Sequence, residues 1–165
     1  MKKYLPPLDL CCALACLCLA ACSSTPTPEV DIPPNPPPPG IARIHLYRQA
    51  HFIGCGAFPA VVVDGVKRGN LTNGSYFDID LPPGQHHLVI GGNVLEWEFH
   101  DIKIDYAFEG GKEYFLRLEI NLKDLNIAPY AITSSWDNLV YMVSPDAARN
   151  DMRGLKKKPT APDGQ

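Results

Sequence analysis

The chain reads as an all-β domain, an antiparallel two-sheet β-sandwich closed by a short C-terminal helix, and three observations predict it. From Ile41 onward, short apolar runs recur every 8 to 12 residues with Gly, Asn, Asp and Pro between them. Within those runs the period is two: Phe77, Ile79 and Leu81 alternate with Tyr76, Asp78 and Asp80, so one face of the strand is buried. Helical periodicity is almost absent until Ser144-Pro145-Asp146, where a proline at the first helical position opens a short helix that Gly154 ends. With 165 residues and a net charge of −3, the chain has room for one small domain plus tails. It lacks the broad basic field that nucleic acid requires.

The layout expected from the N-terminus is a leader over residues 1–21, a tether over 22–40, a sandwich over 41–143, and a helix with a disordered tail over 144–165. The leader has a positive end in Lys2 and Lys3, an apolar stretch from Leu10 to Leu19, and small residues Ala20-Ala21 before a cut. About 20 apolar residues are needed to span a bilayer, and Asp9 with Pro6-Pro7 closes this run well short of that. Leu19-Ala20-Ala21-Cys22 resembles the lipobox of bacterial lipoproteins. The resemblance implies cleavage after Ala21 and diacylglyceryl attachment to the Cys22 thiol, because a thiolate is the strong nucleophile that makes a stable thioether. Ser23, where inner-membrane retention uses Asp, points by the same resemblance to the periplasmic face of the outer membrane. Two or more acyl chains, at about 0.8 kcal/mol per buried methylene, hold a protein almost permanently. Of the six cysteines, Cys11, Cys12, Cys16 and Cys18 lie in the leader and act as small hydrophobes. Only Cys22 and Cys55 outlast cleavage, so no internal disulfide framework is expected.

From Ser23 to Gly40 the chain is dominated by proline, ending in Pro36-Pro37-Pro38-Pro39-Gly40. In the polyproline II form such a stretch reaches roughly 55 Å, which suits a spacer. The other reading is a ligand for an aromatic-lined groove.

The strands come in order. Ile44 and Leu46 alternate with Arg43, His45 and Tyr47. Ala60 to Val63 and Val66 to Leu71 flank the tight turn Asp64-Gly65. Asn73-Gly74 opens the strand of Phe77, and Pro82-Pro83-Gly84 ends it before His86 to Ile90. Leu95, Trp97 and Phe99 alternate as a further strand. The next set, Ile102, Ile104, Tyr106 and Phe108, is out of phase by one, which predicts a bulge near Asp101. Gly110-Gly111 turns into Tyr114, Leu116, Leu118 and Ile120, and a last strand falls within Leu139 to Val143. Lys156-Lys157-Lys158 and the residues beyond them read as disordered and solvated.

Several of these segments resemble a pattern of small bacterial lipoproteins: Ala42-Arg43-Ile44-His45-Leu46-Tyr47-Arg48, Val63-Asp64-Gly65, Leu71-Thr72-Asn73-Gly74-Ser75-Tyr76-Phe77, Leu81-Pro82-Pro83-Gly84, and Gly111-Lys112-Glu113-Tyr114-Phe115-Leu116-Arg117. On these residues the chain resembles the domain of unknown function 2846 family over about Ile41 to Asn121. The Asp-Gly hairpin followed by Leu-Pro-Pro-Gly is also similar to PEGA repeats. Both resemblances imply a β-sandwich of the transthyretin and PEGA kind, and neither supplies catalytic residues.

Candidate chemistry is sparse. His86-His87 beside Glu96, Glu98 and His100 suggests a metal site, but consecutive strand residues face opposite sides, so no metal is expected. His45 and His51 complete the five histidines. Cys55, between Gly54 and Gly56, reads as an inert, part-buried thiol; its alternatives are an intermolecular disulfide or a nucleophile served by His51. Asn70-Leu71-Thr72 and Asn73-Gly74-Ser75 match the glycosylation sequon by coincidence of turn chemistry. Trp97, Phe99, Tyr130, Trp136 and Tyr141 read as core, with a ligand groove as the alternative. No catalytic, cofactor-binding or metal-ligating residue is therefore assigned. The expected role is that of a non-catalytic binding module held to the membrane by lipid, with an envelope protein as partner and no nucleic acid. The alternatives are an assembly subunit like the transthyretin-like lipoproteins of secretion machines, and a small hydrolase or metal protein.

Overall fold

The computed structural model describes residues 36–161 apart from 94, 129 and 130. The leader, Ala21, Cys22, most of the tether and Tyr130 lie outside the described residues. Among the described residues nine strands run in the order β1 (Ala42–Arg48), β2 (Ala60–Val63), β3 (Val66–Asn70), β4 (Ser75–Leu81), β5 (Gly84–Gly91), β6 (Ile102–Phe108), β7 (Glu113–Ala128), β8 (Ala131–Met142) and β9 (Lys156–Lys157), with helix α1 (Pro145–Asp151) before the last. They form a five-stranded sheet, β8-β7-β1-β4-β9, packed on a four-stranded sheet, β3-β2-β5-β6. The all-β sandwich with a short C-terminal helix is what the chain adopts.

The larger sheet is mixed rather than purely antiparallel. β1 pairs antiparallel with β4 but parallel with β7, and β9 pairs parallel with β4. The period-two pattern does its work on the inner faces. Ala42, Ile44 and Leu46 of β1, Phe77, Ile79 and Leu81 of β4, and Leu116 and Leu118 of β7 meet Val61, Val63, Leu88 and Ile90 of the other sheet in one core. On the outer face of the larger sheet a second, smaller cluster forms, where Tyr47 and Phe115 pack under Ala148 and Met152 of the C-terminal segment. Gly69 is required by this packing. Its φ is +149°, and a Cβ there would sit 2.7 Å from the buried Phe77 ring.

Four expectations are corrected. Residues Leu95, Trp97 and Phe99 are not in a strand: the Asn93 side chain accepts hydrogen bonds from the Leu95 and Glu96 N–H groups, and the Asn93 carbonyl accepts from Glu96 and Trp97. That local turn competes with a ladder and wins. The phase slip near Asp101 is therefore the end of a loop, with β6 beginning at Ile102. The final hairpin is far longer than expected, since β7 and β8 extend as a two-stranded ribbon with a bulge at Leu122/Asp124. Finally, the tail is ordered as far as residue 161. Lys156 and Lys158 N–H groups donate to the Gly74 and Tyr76 carbonyls, and Ala161 N–H donates to the Arg68 carbonyl of the other sheet.

Candidate functional site

Strand direction gives the sandwich two poles. The chain arrives at one of them: Pro37 is buried, the Ile41 carbonyl accepts from Gly111 N–H at 2.7 Å, and Ala42 stands opposite Leu81. The turns Asp64-Gly65, Pro82-Pro83 and Glu109 to Lys112 lie at this arrival pole, because Val63 pairs near the start of β5 and Gly84 opposes Phe108. Asp64 and Gly65 both have positive φ, at 51° and 82°, the geometry of an Asp-Gly hairpin turn. His86 fixes that turn, with Nδ1 2.6 Å from Asp64 Oδ2 and Nε2 2.8 Å from the Pro82 carbonyl. Burial works against the imidazolium, but the carboxylate and carbonyl outweigh it and raise the His86 pKa. Burial likewise pushes Asp64 up, and the His87 N–H and His86 bonds overcome this and lower it.

The opposite pole is built from long segments: the 49–59 loop after β1, the 92–101 loop after β5, and the β7–β8 ribbon. Between them lies a cleft of about 390 Å³, lined by Gly54 to Ala57 on one side, Leu95 to Phe99 on the other, and Trp136 of β8. Trp97 is buried, packs edge-on against Phe99 at 4.7 Å and donates its indole N–H to the His100 carbonyl. Phe99 in turn lies 5.3 Å from Trp136. A neighbouring hollow of about 440 Å³ shares Glu98, Phe99 and Trp136 and adds His100 and Asp101.

The 49–59 loop is pinned from below. Arg48, almost fully buried, donates one guanidinium nitrogen to the Ala57 carbonyl and another to the Gly54 carbonyl, each at 2.6 Å. Burial lowers the Arg48 pKa. The loop rim is apolar and bare: Phe52 is 93% exposed and Leu95 84%, with Ile53 and Phe58 half-exposed beside them. Large apolar side chains on loop tips signal recognition more than packing.

The sequence-predicted residues are dispersed. Cys55 is exposed, not part-buried, and sits in the cleft wall; it forms no hydrogen bond with His51 among the described residues. His51 instead donates its backbone N–H to Asn73, whose amide donates back to the His51 carbonyl, and Asn70 donates to the Phe58 carbonyl. Both sequon asparagines therefore serve turns. His86 and His87 face opposite ways, His87 pairing with Asp105 of β6 at 2.6 Å, and neither adjoins the His100 loop. Among the described residues no group of three His, Cys, Asp or Glu side chains is arranged to hold a metal ion. Of the aromatics, Trp97 is core, Phe99 and Trp136 form the cleft floor, and Tyr141 lies on the outer face beneath the Arg117 guanidinium at 5.8 Å.

One cluster had no sequence signal. On the outer face, His45 is buried with Nδ1 2.7 Å from Asp78 and Nε2 3.2 Å from Glu113, while its ring stacks on Phe115 at 4.6 Å. Lys157 reaches the other oxygen of Asp78 at 2.6 Å, and Arg149 reaches Glu113 at 3.1 Å. Burial raises the Asp78 carboxyl, and the His45 and Lys157 bonds more than reverse it. These groups come from β1, β4, β7, α1 and β9, so only the register reveals them. They fasten the C-terminal segment to the sheet.

A sandwich with tight turns at one pole and an apolar-rimmed cleft at the other defines a class of small β-sandwich domains. The particular family is shown by direct comparison: the model for the protein of unknown function family DUF2846 matches residues 38–129, and the chain belongs to it. No curated protein and no solved structure matches the chain. Among the described residues no helix is long and apolar enough to cross a membrane.

Proposed function

We propose that this protein is a lipid-anchored module of the bacterial envelope, tethered through Cys22 at the periplasmic face of the outer membrane, that docks a partner protein with its cleft pole. The observation that carries the reading is the opposition of the two poles. The chain reaches the sandwich at Ala42, and the exposed Phe52 and Leu95 project from the far end. A stalk attached at the first pole presents the second to the periplasm. The lipobox-like Leu19-Ala20-Ala21-Cys22 supports the anchor.

The test is photo-crosslinking in intact cells from a reactive residue placed at Leu95, with Lys112 at the arrival pole as control. A discrete protein adduct from position 95 and none from 112 supports the reading. Adducts with lipid alone, or from position 112 only, overturn it. Co-purification of the adduct partner at one-to-one stoichiometry selects the assembly-subunit version of the same role. The anchor is tested separately, because Cys22→Ala abolishes acyl labelling if Cys22 carries the lipid.

A further inference from the structure

One lateral edge of the larger sheet is formed by β4 and the short tail strand paired to it. β4 is the last full strand of its sheet, and its outer edge would be bare but for six residues of tail. Lys156 and Lys158 donate their N–H groups to Gly74 and Tyr76 at 2.9 and 2.8 Å, and the Thr160 hydroxyl donates to the Asp78 carbonyl at 2.9 Å. Every second carbonyl along this edge is thus taken, in the parallel register Ser75↔Lys156 and Tyr76↔Lys157. After Thr160 the tail leaves β4, and the Ala161 N–H donates to the Arg68 carbonyl.

Two features make this edge a receptor and the tail a weak occupant. Asp78 is held from within by His45 through one oxygen, which leaves the other aimed at the edge, where it takes the Lys157 ammonium. The cation site is built by the sheet, and the tail only fills it. Polar bonds hold the tail, but residues 156–161 contribute nothing to the apolar clusters; Lys156 and Lys157 are exposed, and the nearest clustered residue is Leu155. Segments with few buried contacts open far below the global unfolding energy.

We propose that the outer edge of β4 binds an extended basic peptide segment parallel to the strand, and that the chain's own residues 156–161 occupy this edge as a displaceable stand-in. Main-chain pairing supplies affinity, and a lysine aligned with Asp78 supplies register. This site goes beyond the cleft-pole reading and stands without it, since it uses no residue of the cleft.

The test uses the full chain carrying Lys156→Pro and Lys158→Pro, which removes the two ladder donors and shortens nothing. The probe is a fluorescent peptide of the unaltered sequence of residues 155–161. The variant is expected to bind it at least about tenfold more tightly than the unaltered chain, whose edge is already filled. A peptide carrying the Lys157→Glu change should lose that binding. Hydrogen exchange at Ala161 reports whether the tail has left. A tail that remains protected in the variant, or a released tail with no peptide bound, overturns the proposal.

Discussion

The two poles of this sandwich are made of opposite materials. At the arrival pole the connections are short, polar and internally satisfied, with His86, Asp64 and the Pro82 carbonyl closing one another's hydrogen bonds. At the cleft pole two loops of about ten residues rest on buried side chains, Arg48 under one and Trp97 under the other, and their tips are left apolar and bare. The difference shows how a small domain divides its labour. Tight turns fix the frame of the sandwich, and long loops carry surface that stability alone does not require.

Substitutions sharpen this contrast. The largest effect is expected from Trp97→Ala, which empties a buried aromatic site and strands the His100 carbonyl; about 3–5 kcal/mol should be lost in chemical denaturation. Arg48→Met leaves the Ala57 and Gly54 carbonyls without their donors and should cost about 2–3 kcal/mol, with faster hydrogen exchange confined to the 49–59 loop. If exchange rises equally at the arrival pole, the poles are not separate units.

The His86 and Asp64 pair makes the arrival pole sensitive to pH. The His86 pKa is raised by folding, so its contribution is present below the ordinary histidine value near 6.5 and fades as pH climbs through the raised value. The Asp64 pKa is lowered, so its contribution is present above the ordinary carboxyl value and fades as pH falls through the depressed one. The stability advantage of the unaltered chain over His86→Gln should therefore shrink as pH rises from about 6 through the raised His86 value, as followed by denaturant midpoints. An advantage that grows over that range reverses the assignment. The smallest effect on stability belongs to Phe52→Ser and Leu95→Ser, within about 0.5 kcal/mol by thermal melting, although Phe52→Ser should weaken the adduct expected from a reactive residue at position 95.

How much of the molecule is legible in the sequence depends on which forces leave a mark on residue order. β1, β2, β4 and β5 are readable because each turns apolar residues toward the core, and the turns need particular residues, as at Asp64-Gly65 and Asn73-Gly74. The 92–101 loop misleads because Leu95, Trp97 and Phe99 alternate like a strand, while the deciding interaction is one asparagine side chain taking the neighbouring N–H groups. The β7–β8 ribbon leaves little trace, since main-chain pairing holds it and its apolar spacing shifts at the Leu122/Asp124 bulge. The lysines of the tail are solvated as their chemistry demands, yet their backbone still pairs, because side-chain charge and ladder bonding are independent at a sheet edge. The His45 cluster joins five elements and is a property of register alone. The cleft rim was within reach: Phe52 and Leu95 are bulky apolar residues beside glycines and asparagine, where a turn needs none.

The parallel neighbour of β1 has a kinetic consequence. Sixty-eight positions separate His45 from Glu113, which meets it across that pairing, and no hairpin can bring parallel strands together. The first strand of the domain must therefore wait for β7 before both of its edges are paired, a closure of the long-range kind that slows folding. A chain so arranged cannot complete its larger sheet until residues beyond 113 have been made.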